Sequence, residues 1–169
     1  MNSNIQFTPH FELREFVVSQ TARDHGLDNT PPAEAVENLR ALCVHTLEPL
    51  REALGLPIVI TSGYRTRELN RLLVCHSNKS QHMSGEAADF HVSWNGPKED
   101  APSRRELFIK AFRQIITDDS IAFDQCIIYP SFIHVSYVRS GRKNRSKLTR
   151  AFANGSYAAL TRAQALALE

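Results

Sequence analysis

Apolar residues recur every three or four positions between residues 31 and 54, which is the spacing that places side chains on one face of a helix. Thr30 precedes two prolines, and proline suits a first helical turn because its missing N–H is not needed there. Gly55 suits the end of this helix. Pro49 falls inside the run and predicts a kink or a break. The predicted inner face contains Val36, Leu39, Cys43, Leu47, Leu50 and Leu54.

Two further helical segments are predicted. One begins at Ser103, with Glu106 three residues later completing a capping box. Its inner face contains Phe108, Phe112 and Ile115. The other covers residues 13–23, ahead of the long helix. The Ala- and Leu-rich C-terminal end, which follows residues 154–156, predicts either a short packed helix or a frayed tail.

Runs of β-branched and aromatic residues predict four strands, at residues 58–61, 87–92, 126–129 and 132–138. Pro130 and Ser131 separate the last two, which indicates a tight hairpin. Because helices and strands do not alternate regularly, we expect an α+β fold with a small antiparallel sheet packed against helices. A single domain is predicted for residues 1–169, in which residues 139–169 form a basic segment and a C-terminal tail.

Composition narrows the class of protein. The chain has 169 residues, 42% of them hydrophobic, which suits one domain and excludes intrinsic disorder. No uncharged apolar run reaches the ~18 residues of a membrane helix, so we expect no membrane partner. The first residues lack the basic and apolar segments of a secretory signal, which predicts synthesis in the cytoplasm. Cys43, Cys75 and Cys126 form no CxxC pair and are predicted to be unpaired thiols.

Positive charge is concentrated near the C-terminus. Six basic residues fall within twelve positions without an acid among them: Arg139, Arg142, Lys143, Arg145, Lys147 and Arg150. One interpretation is contact with an anionic polymer, either nucleic acid or cell wall. The other is a solvated loop, which the lack of interleaved aromatic residues favours. Nucleic acid is therefore not the expected partner.

Three residues suggest a metal site. Asp89 lies between Ala88 and Phe90 on a predicted strand, and a buried carboxylate needs a partner. His82 precedes this strand, and His134 lies on another predicted strand. If the two strands are neighbours, two imidazoles and one carboxylate converge, a ligand set that suits zinc with a fourth position for water. From spacing alone, a hydrogen-bonded His–Asp pair in the core is the more common arrangement.

An ordered set of short motifs strengthens the zinc interpretation. The pattern S-x-H-x-x-G-x-A-x-D runs from Ser80 to Asp89, and His134-Val135-Ser136 follows later. Other matching pieces lie at residues 11–16, 27–31, 47–51, 61–66 and 123–125. The sequence resembles the zinc D-Ala-D-Ala carboxypeptidases and related peptidoglycan endopeptidases, in particular their small single-domain branch of phages and bacteria. This resemblance implies a hedgehog/DD-peptidase-like fold and one zinc held by His82, Asp89 and His134.

The resemblance also implies residues that bind substrate. Arg65, in the segment Ser62-Gly63-Tyr64-Arg65, corresponds to an arginine that holds a peptide carboxylate, and a guanidinium can do so through two parallel hydrogen bonds. The alternative is a structural arginine paired with Glu68 or Asp124. Ser80 corresponds to a position near the site, although a capping serine is equally consistent. The implied substrate is a peptidoglycan stem peptide, and we expect a monomer.

The general base does not match the family pattern. Relatives carry an acid a few residues before the second histidine ligand, whereas residues 128–133 contain no carboxylate. Asp124 and Glu86 are the candidate proton acceptors, and His91 is a third option. Tyr129 lies near the position of the missing acid, where its hydroxyl could stabilise a developing oxyanion. Residues 73–77 also lack the glycine pair that commonly precedes the S-x-H motif.

Two functions follow from these observations. The first is a zinc peptidase that acts on cell-wall peptides containing D-amino acids, for which the expected setting is phage lysis or a virion. The second is a non-catalytic binding module stabilised by zinc, because the hedgehog signalling domain resembles the same fold without guaranteeing hydrolysis. The missing base favours the second function.

Overall fold

The computed structural model describes residues 5–73 and 77–169, which form an α+β fold. The strands are β1 Gln6–Thr8, β2 Phe11–Glu12, β3 Ile58–Ser62, β4 Ala87–Val92, β5 Gln125–Ile128, β6 Ile133–Ser136, β7 Lys147–Ala151 and β8 Tyr157–Leu160. The α-helices are α1 Leu13–Val17, α2 Gln20–Asp24, α3 Ala33–Leu42, α4 Glu48–Leu54, α5 Arg67–Leu72, α6 Arg104–Thr117 and α7 Arg162–Leu166. A π-helical turn spans Cys43–Leu47, and 3₁₀ turns span Gln81–Ser84 and Lys98–Asp100.

The predicted long helix forms as α3, the π-helical turn and α4, and it ends at Gly55 in a left-handed conformation. Pro49 has no N–H to donate to the carbonyl of His45, four residues earlier. The backbone N–H of Ala122 donates to that carbonyl instead, at 2.9 Å. A π-helical turn thus lies immediately before α4, in the region where the proline predicted a kink or a break. All six predicted inner-face residues are buried.

The main sheet has six strands in the order β3-β4-β6-β5-β7-β8. All neighbours are antiparallel except β5 and β7, which are parallel. The expected α+β class is confirmed, but the sheet is larger than predicted and is mixed instead of antiparallel. The reason is that residues 147–151 add a strand beside β5 after a long connection from β6. The predicted hairpin is present, because β5 and β6 pair across Pro130 and Ser131.

One face of the sheet builds the core. Phe90, Ile133, Val135 and Cys126 are fully buried on that face, and Leu148 of β7 is nearly so. Alternate residues point to the other face, since side chains alternate along a strand. The opposite face therefore carries Asp89, His134, Ile127 and Thr149, which are aligned across four neighbouring strands.

Several smaller predictions have clear outcomes. Helix α6 begins at the predicted Ser103–Glu106 capping box. Residues 13–23 form two short helices instead of one, because Val18 is extended and Ser19 caps α2. The C-terminal end contains the packed helix α7. The second half of the basic segment is strand β7 instead of a solvated loop, because Leu148 and Ala151 are buried.

Two predictions concern cysteines and membranes. Cys43 and Cys126 are fully buried, and neither forms a disulfide with another described residue. Cys75 lies outside the described residues, as does most of the segment that lacks the glycine pair.

Within residues 5–73 and 77–169, every helix is too short or too polar to cross a lipid bilayer.

Candidate metal centre

His82, Asp89 and His134 converge on one point of the sheet. Asp89 on β4 and His134 on β6 are direct cross-strand partners. His82, on the 3₁₀ turn before β4, reaches the same point from the side. Asp89 Oδ1 lies 2.8 Å from His134 Nδ1 and 3.3 Å from His82 Nε2, and the two imidazole nitrogens are 3.2 Å apart. One ligand atom from each residue lies within 4.8 Å of the others.

The orientation of His82 is fixed by the loop that carries Arg65. His82 Nδ1 donates to the carbonyl of Gly63 at 2.7 Å, which leaves the lone pair of Nε2 directed at Asp89 and His134. In return, the backbone N–H of Arg65 donates to the carbonyl of His82 at 3.1 Å. The first ligand and the predicted substrate-binding arginine therefore hold each other in place.

Gly63 has a steric role in this arrangement. A Cβ at this position would lie 2.5 Å from the carbonyl oxygen of Phe16 and 2.6 Å from its Cα. Only glycine allows the loop to approach α1 this closely, and Tyr64 N–H donates to the same Phe16 carbonyl at 2.7 Å. This close contact fixes the position of the Gly63 carbonyl, and the hydrogen bond to that carbonyl in turn positions His82.

The protonation states suit metal binding. Burial lowers the pKa of His82, although the carboxylate of Asp89 opposes this effect. Burial alone would raise the pKa of Asp89, but the neighbouring imidazole of His82 and the hydrogen bond from His134 lower it well below its usual range. At neutral pH the cluster thus offers a neutral His82 and an ionised Asp89. Such ligands need not lose a proton before a cation binds.

The donor set fits zinc. Two imidazole nitrogens and one carboxylate oxygen are the ligand types of catalytic zinc sites, which keep a further position open. His82 is almost fully buried, whereas Asp89 and His134 each retain partial exposure on the cleft side. The three residues could therefore hold the ion and leave one side open to a water or a substrate.

The cluster lies in a cleft of about 640 Å³ on the open face of the sheet. Arg65, Ser80 and Tyr129, all predicted site residues, line the same cleft. Four more basic residues belong to its wall: Lys79, Arg142, Arg145 and Lys147. Among the described residues that line it, Asp89 is the sole acid. The cleft therefore favours an anionic ligand.

Arg65 is poised over the cluster with unused donors. Its Nη2 lies 4.0 Å from Asp89 Oδ2, and its side chain is 16% exposed. Its buried Nε has no hydrogen-bond partner among the described residues. Neither Glu68 nor Asp124 forms an ion pair with Arg65, so the structural alternative finds no support in the described part of the chain. Burial lowers the pKa of the guanidinium, against the effect of Asp89.

Ser80 and Tyr129 both line the cleft. Ser80 immediately precedes the 3₁₀ turn but makes no side-chain capping bond to it. The hydroxyl of Tyr129 lies 3.2 Å from that of Tyr157, and its ring stacks on Phe132 with centroids 4.1 Å apart. Burial, together with Tyr157, raises the pKa of Tyr129. Its hydroxyl therefore stays protonated at neutral pH and can donate a hydrogen bond.

The candidate proton acceptors, Asp124 and Glu86, are held by hydrogen bonds from neighbouring side chains. Asp124 has a fully buried side chain that accepts hydrogen bonds from Arg145 and Gln81. Glu86 accepts from Ser84 at 3.1 Å and from Arg142 at 3.2 Å. Neither carboxylate lines the cleft. The catalytic roles assigned to both residues stay predictions.

His91 also lies outside the cleft lining. It pairs across the sheet with Val59 of β3, near the edge of the sheet. Burial lowers its pKa, and the positive charge of Arg104 adds to that effect. It shares the face of Asp89 on β4, as predicted, but the structure does not bring it to the metal cluster. Its suggested part in proton transfer stays a prediction.

Some residues that shape the site were not predicted from the sequence. The side chain of Asn29 donates to the carbonyls of Val17 and Tyr64 and accepts from the N–H of Thr66, so it clamps the Arg65 loop. Lys147 and Thr149 line the cleft from β7. The sequence gives no local signal for the role of Asn29 or for strand β7.

One comparison with known proteins bears on this site. The model of a family described as Peptidase M15 matches residues 9–136. The matched part contains Arg65, the three metal-ligand candidates and Tyr129, and it ends before the basic segment. No protein of curated function matches the sequence.

Proposed function

Because the chain belongs to the peptidase M15 family, we propose that it is a zinc-dependent peptidase acting on bacterial cell-wall peptides that contain D-amino acids. The bond cut would be that of a D,D-carboxypeptidase or of a peptidoglycan endopeptidase. Membership of the family supports a metallopeptidase. The finer assignment of substrate rests on the residues of the cleft.

The observation that carries the proposal is the placement of Arg65 beside the metal cluster. Arg65 lines the same cleft as His82, Asp89 and His134, and its Nη2 lies 4.0 Å from Asp89 Oδ2. A guanidinium pairs with a carboxylate through two parallel hydrogen bonds. A peptide whose terminal carboxylate binds Arg65 would therefore have its last peptide bond close to the metal cluster.

Each residue has a chemical role in this proposal. When bound, zinc supplies Lewis-acid chemistry to the scissile carbonyl and to the attacking water. Arg65 orients the peptide, and this positioning lowers the entropic cost of reaching the transition state. The protonated hydroxyl of Tyr129 donates a hydrogen bond to the developing oxyanion. Ser80 lines the approach to the cluster and contacts the bound peptide.

Proton transfer is the weakest step of the proposed reaction. Asp124 and Glu86 remain the candidate proton acceptors, but each is held by an arginine. Either side chain would have to leave its arginine to accept a proton. General-base catalysis typically contributes ~10²–10⁴-fold, so we expect slow turnover.

A specific observation favours the second candidate function. Among the described residues of the cleft, the sole carboxylate belongs to the ligand set, which leaves no free base beside the cluster. A zinc-stabilised module that binds cell-wall peptide without cleaving it would need no base. This function shares the cleft, the metal and Arg65 with the first.

Peptide cleavage distinguishes the two. Zinc-loaded protein is incubated with purified peptidoglycan and with an acetylated peptide ending in D-Ala-D-Ala, and the products are identified by mass spectrometry. We expect cleavage by the wild type and by the control His25→Ala, which alters an exposed histidine outside the cleft, and none by His134→Ala. Binding of the same peptide without any cleavage, at full zinc occupancy, would establish the module instead.

A further inference from the structure

Strand β7 forms a cationic wall of the cleft that the family match does not include, because that match ends at residue 136. We propose that Lys147 and Thr149 on this strand form a second anion subsite, which selects peptides with an additional carboxylate on the N-terminal side of the scissile bond. This inference rests on the proposed function, since it assumes that Arg65 holds the terminal carboxylate.

Strand register places both residues on the face of the metal cluster. Thr149 pairs with Ile127 on β5, which pairs with His134 on β6, which pairs with Asp89 on β4. Lys147 is two positions before Thr149 and so shares this face. Strands lie about 4.8 Å apart, so Thr149 is roughly 10 Å from His134 across the sheet.

Thr149 lines the cleft and has a side-chain hydroxyl without a hydrogen-bond partner among the described residues. The residue is 5% exposed, and the unpartnered atom is its Oγ1. A buried hydroxyl without a partner is costly, so such groups usually have one. Three of the buried unpartnered polar atoms of the described chain belong to cleft residues: Arg65 Nε, Asn70 Oδ1 and Thr149 Oγ1. These atoms would gain a partner if a ligand entered the cleft and the three side chains turned toward it.

Lys147 supplies the positive charge. Arg142 and Arg145 are paired with Glu86 and Asp124, whereas exposed Lys147 forms no ion pair with a described residue. Its backbone is nevertheless fixed, because Lys147 N–H donates to the carbonyl of Asp124 at 2.9 Å. The wall thus presents a free ammonium group from a backbone that is held in place.

The order of the strands gives the direction of the bound peptide. Arg65 follows β3, the metal cluster lies on β4 and β6, and Lys147 lies on β7. A peptide with its C-terminal carboxylate on Arg65 therefore runs across the cluster toward β7. At about 3.3 Å per extended residue, the span of roughly 10 Å corresponds to about three residues. The second carboxylate therefore belongs near the third residue before the scissile bond.

Two peptides that differ by one charge test this inference. The probes are acetyl-Ala-Glu-Ala-D-Ala-D-Ala and its counterpart with Gln in place of Glu. For the zinc-loaded wild type, we expect the Glu peptide to have a KM at least roughly fivefold lower, with kcat nearly unchanged, because the added charge pair improves binding alone. In Lys147→Met this difference disappears, whereas it persists in the control Lys143→Met, whose lysine does not line the cleft.

Equilibrium binding keeps the subsite test separate from the peptidase test. If neither peptide is cleaved, the proposed peptidase fails, and calorimetry with the same two peptides still judges the subsite. A preference for the Glu peptide that Lys147→Met abolishes supports it. Equal binding of both peptides by the wild type overturns the subsite. The subsite is also overturned if Lys147→Met weakens binding of a single-stranded DNA oligonucleotide but leaves binding of both peptides unchanged.

Thr149→Val provides a second readout that a purely structural role would not give. Removal of the unpartnered hydroxyl should leave the protein as stable as the wild type or more so, while the preference for the Glu peptide decreases. If Thr149→Val destabilises the protein and keeps the full preference, then Thr149 is structural and does not belong to the subsite.

Discussion

The buried carboxylate of Asp124 is held by Arg145, whose Nε and backbone N–H donate to Asp124 Oδ1 at 2.9 and 3.0 Å. The backbone carbonyl of Asp124 accepts from Lys147, so its bonds lie on both sides of Ser146, which has a left-handed φ of 50°. Gln81, beside His82, donates to Asp124 Oδ2 at 3.1 Å. Asp124 therefore connects the start of β7 to the turn that carries the first metal-ligand candidate.

Asp124→Asn is expected to reduce stability at neutral pH. The amide retains one acceptor but loses the charge-assisted bonds to Arg145, and the half-exposed arginine limits the effect to about 2 kcal/mol. Urea unfolding measures the change. Asp119→Asn, which alters an exposed neighbouring acid, serves as the control and should unfold like the wild type.

The pH dependence of the same pair has a definite sign. Burial acts to raise the pKa of Asp124, but the hydrogen bonds and charge of Arg145, with help from Gln81, lower it overall. A lowered pKa stabilises the fold above the unfolded value of about 3.9, and this contribution is lost as the pH falls through the folded value. The difference in unfolding free energy between wild type and Asp124→Asn should therefore shrink below about pH 4. A constant difference down to pH 2 would contradict the assignment.

Gly63→Ala tests the contact that positions His82. The new Cβ would lie within 2.6 Å of the Phe16 backbone, so α1 or the loop must move. We expect a loss of about 1–3 kcal/mol in unfolding free energy, typical of overpacking. Displacement of the Gly63 carbonyl should also weaken zinc binding by roughly 10- to 100-fold. Ser62→Ala is the matched control, and equal zinc affinity in both variants would refute the role of Gly63.

Arg65→Ala should impair use of substrate far more than zinc binding. Its proposed partner is a peptide carboxylate, and loss of a bidentate charge-assisted pair costs about 2–4 kcal/mol in kcat/KM. Steady-state kinetics and zinc content are measured on the same preparation, with exposed Arg67→Ala as the control. Normal turnover by Arg65→Ala would show that Arg65 is structural and that the proposed orientation of the peptide is wrong.

Tyr129 is tested by one deletion and one addition. Tyr129→Phe removes a hydrogen-bond donor and should lower kcat by about tenfold or more, whereas Tyr157→Phe should have a smaller effect. Tyr129→Glu introduces a carboxylate where relatives carry an acid, and a gain of at least roughly tenfold would indicate a site built for hydrolysis. Inert wild type and inert Tyr129→Glu, both fully loaded with zinc, would favour the binding module.

Local patterns predicted much of the fold. Helical periodicity identified the buried faces of α3, α4 and α6, and the Ser103–Glu106 capping box fixed the start of α6. These features depend on residues a few positions apart, so the sequence alone reveals them. The effect of Pro49 was predicted only as an irregularity. Its compensating partner, Ala122, lies far along the chain and could not be inferred from local pattern.

The remaining features of the fold and the site depend on tertiary contacts, which local sequence patterns do not reveal. Strand β7 carries charged residues at Lys147 and Arg150, a pattern that is typical of a solvated loop. In the structure, however, Leu148 of this strand packs into the core. The parallel pairing of β7 with β5 depends on contacts between residues far apart in the sequence. The metal-ligand candidates were found because their types and order match a family pattern. The pairing of Asp124 with Arg145 was not found, because nothing local distinguishes a buried structural acid from a catalytic one.

We propose that zinc held by His82, Asp89 and His134 makes this chain a peptidase. The most direct test is a titration in which zinc is added stepwise to metal-free protein. Cleavage of the D-Ala-D-Ala peptide is measured at each step. Activity should rise until one zinc is bound per chain, with a parallel rise in melting temperature because the ion binds the folded state alone. Protein that is fully loaded with zinc yet cleaves neither this peptide nor purified peptidoglycan would contradict the claim, as would activity that persists after the metal is removed.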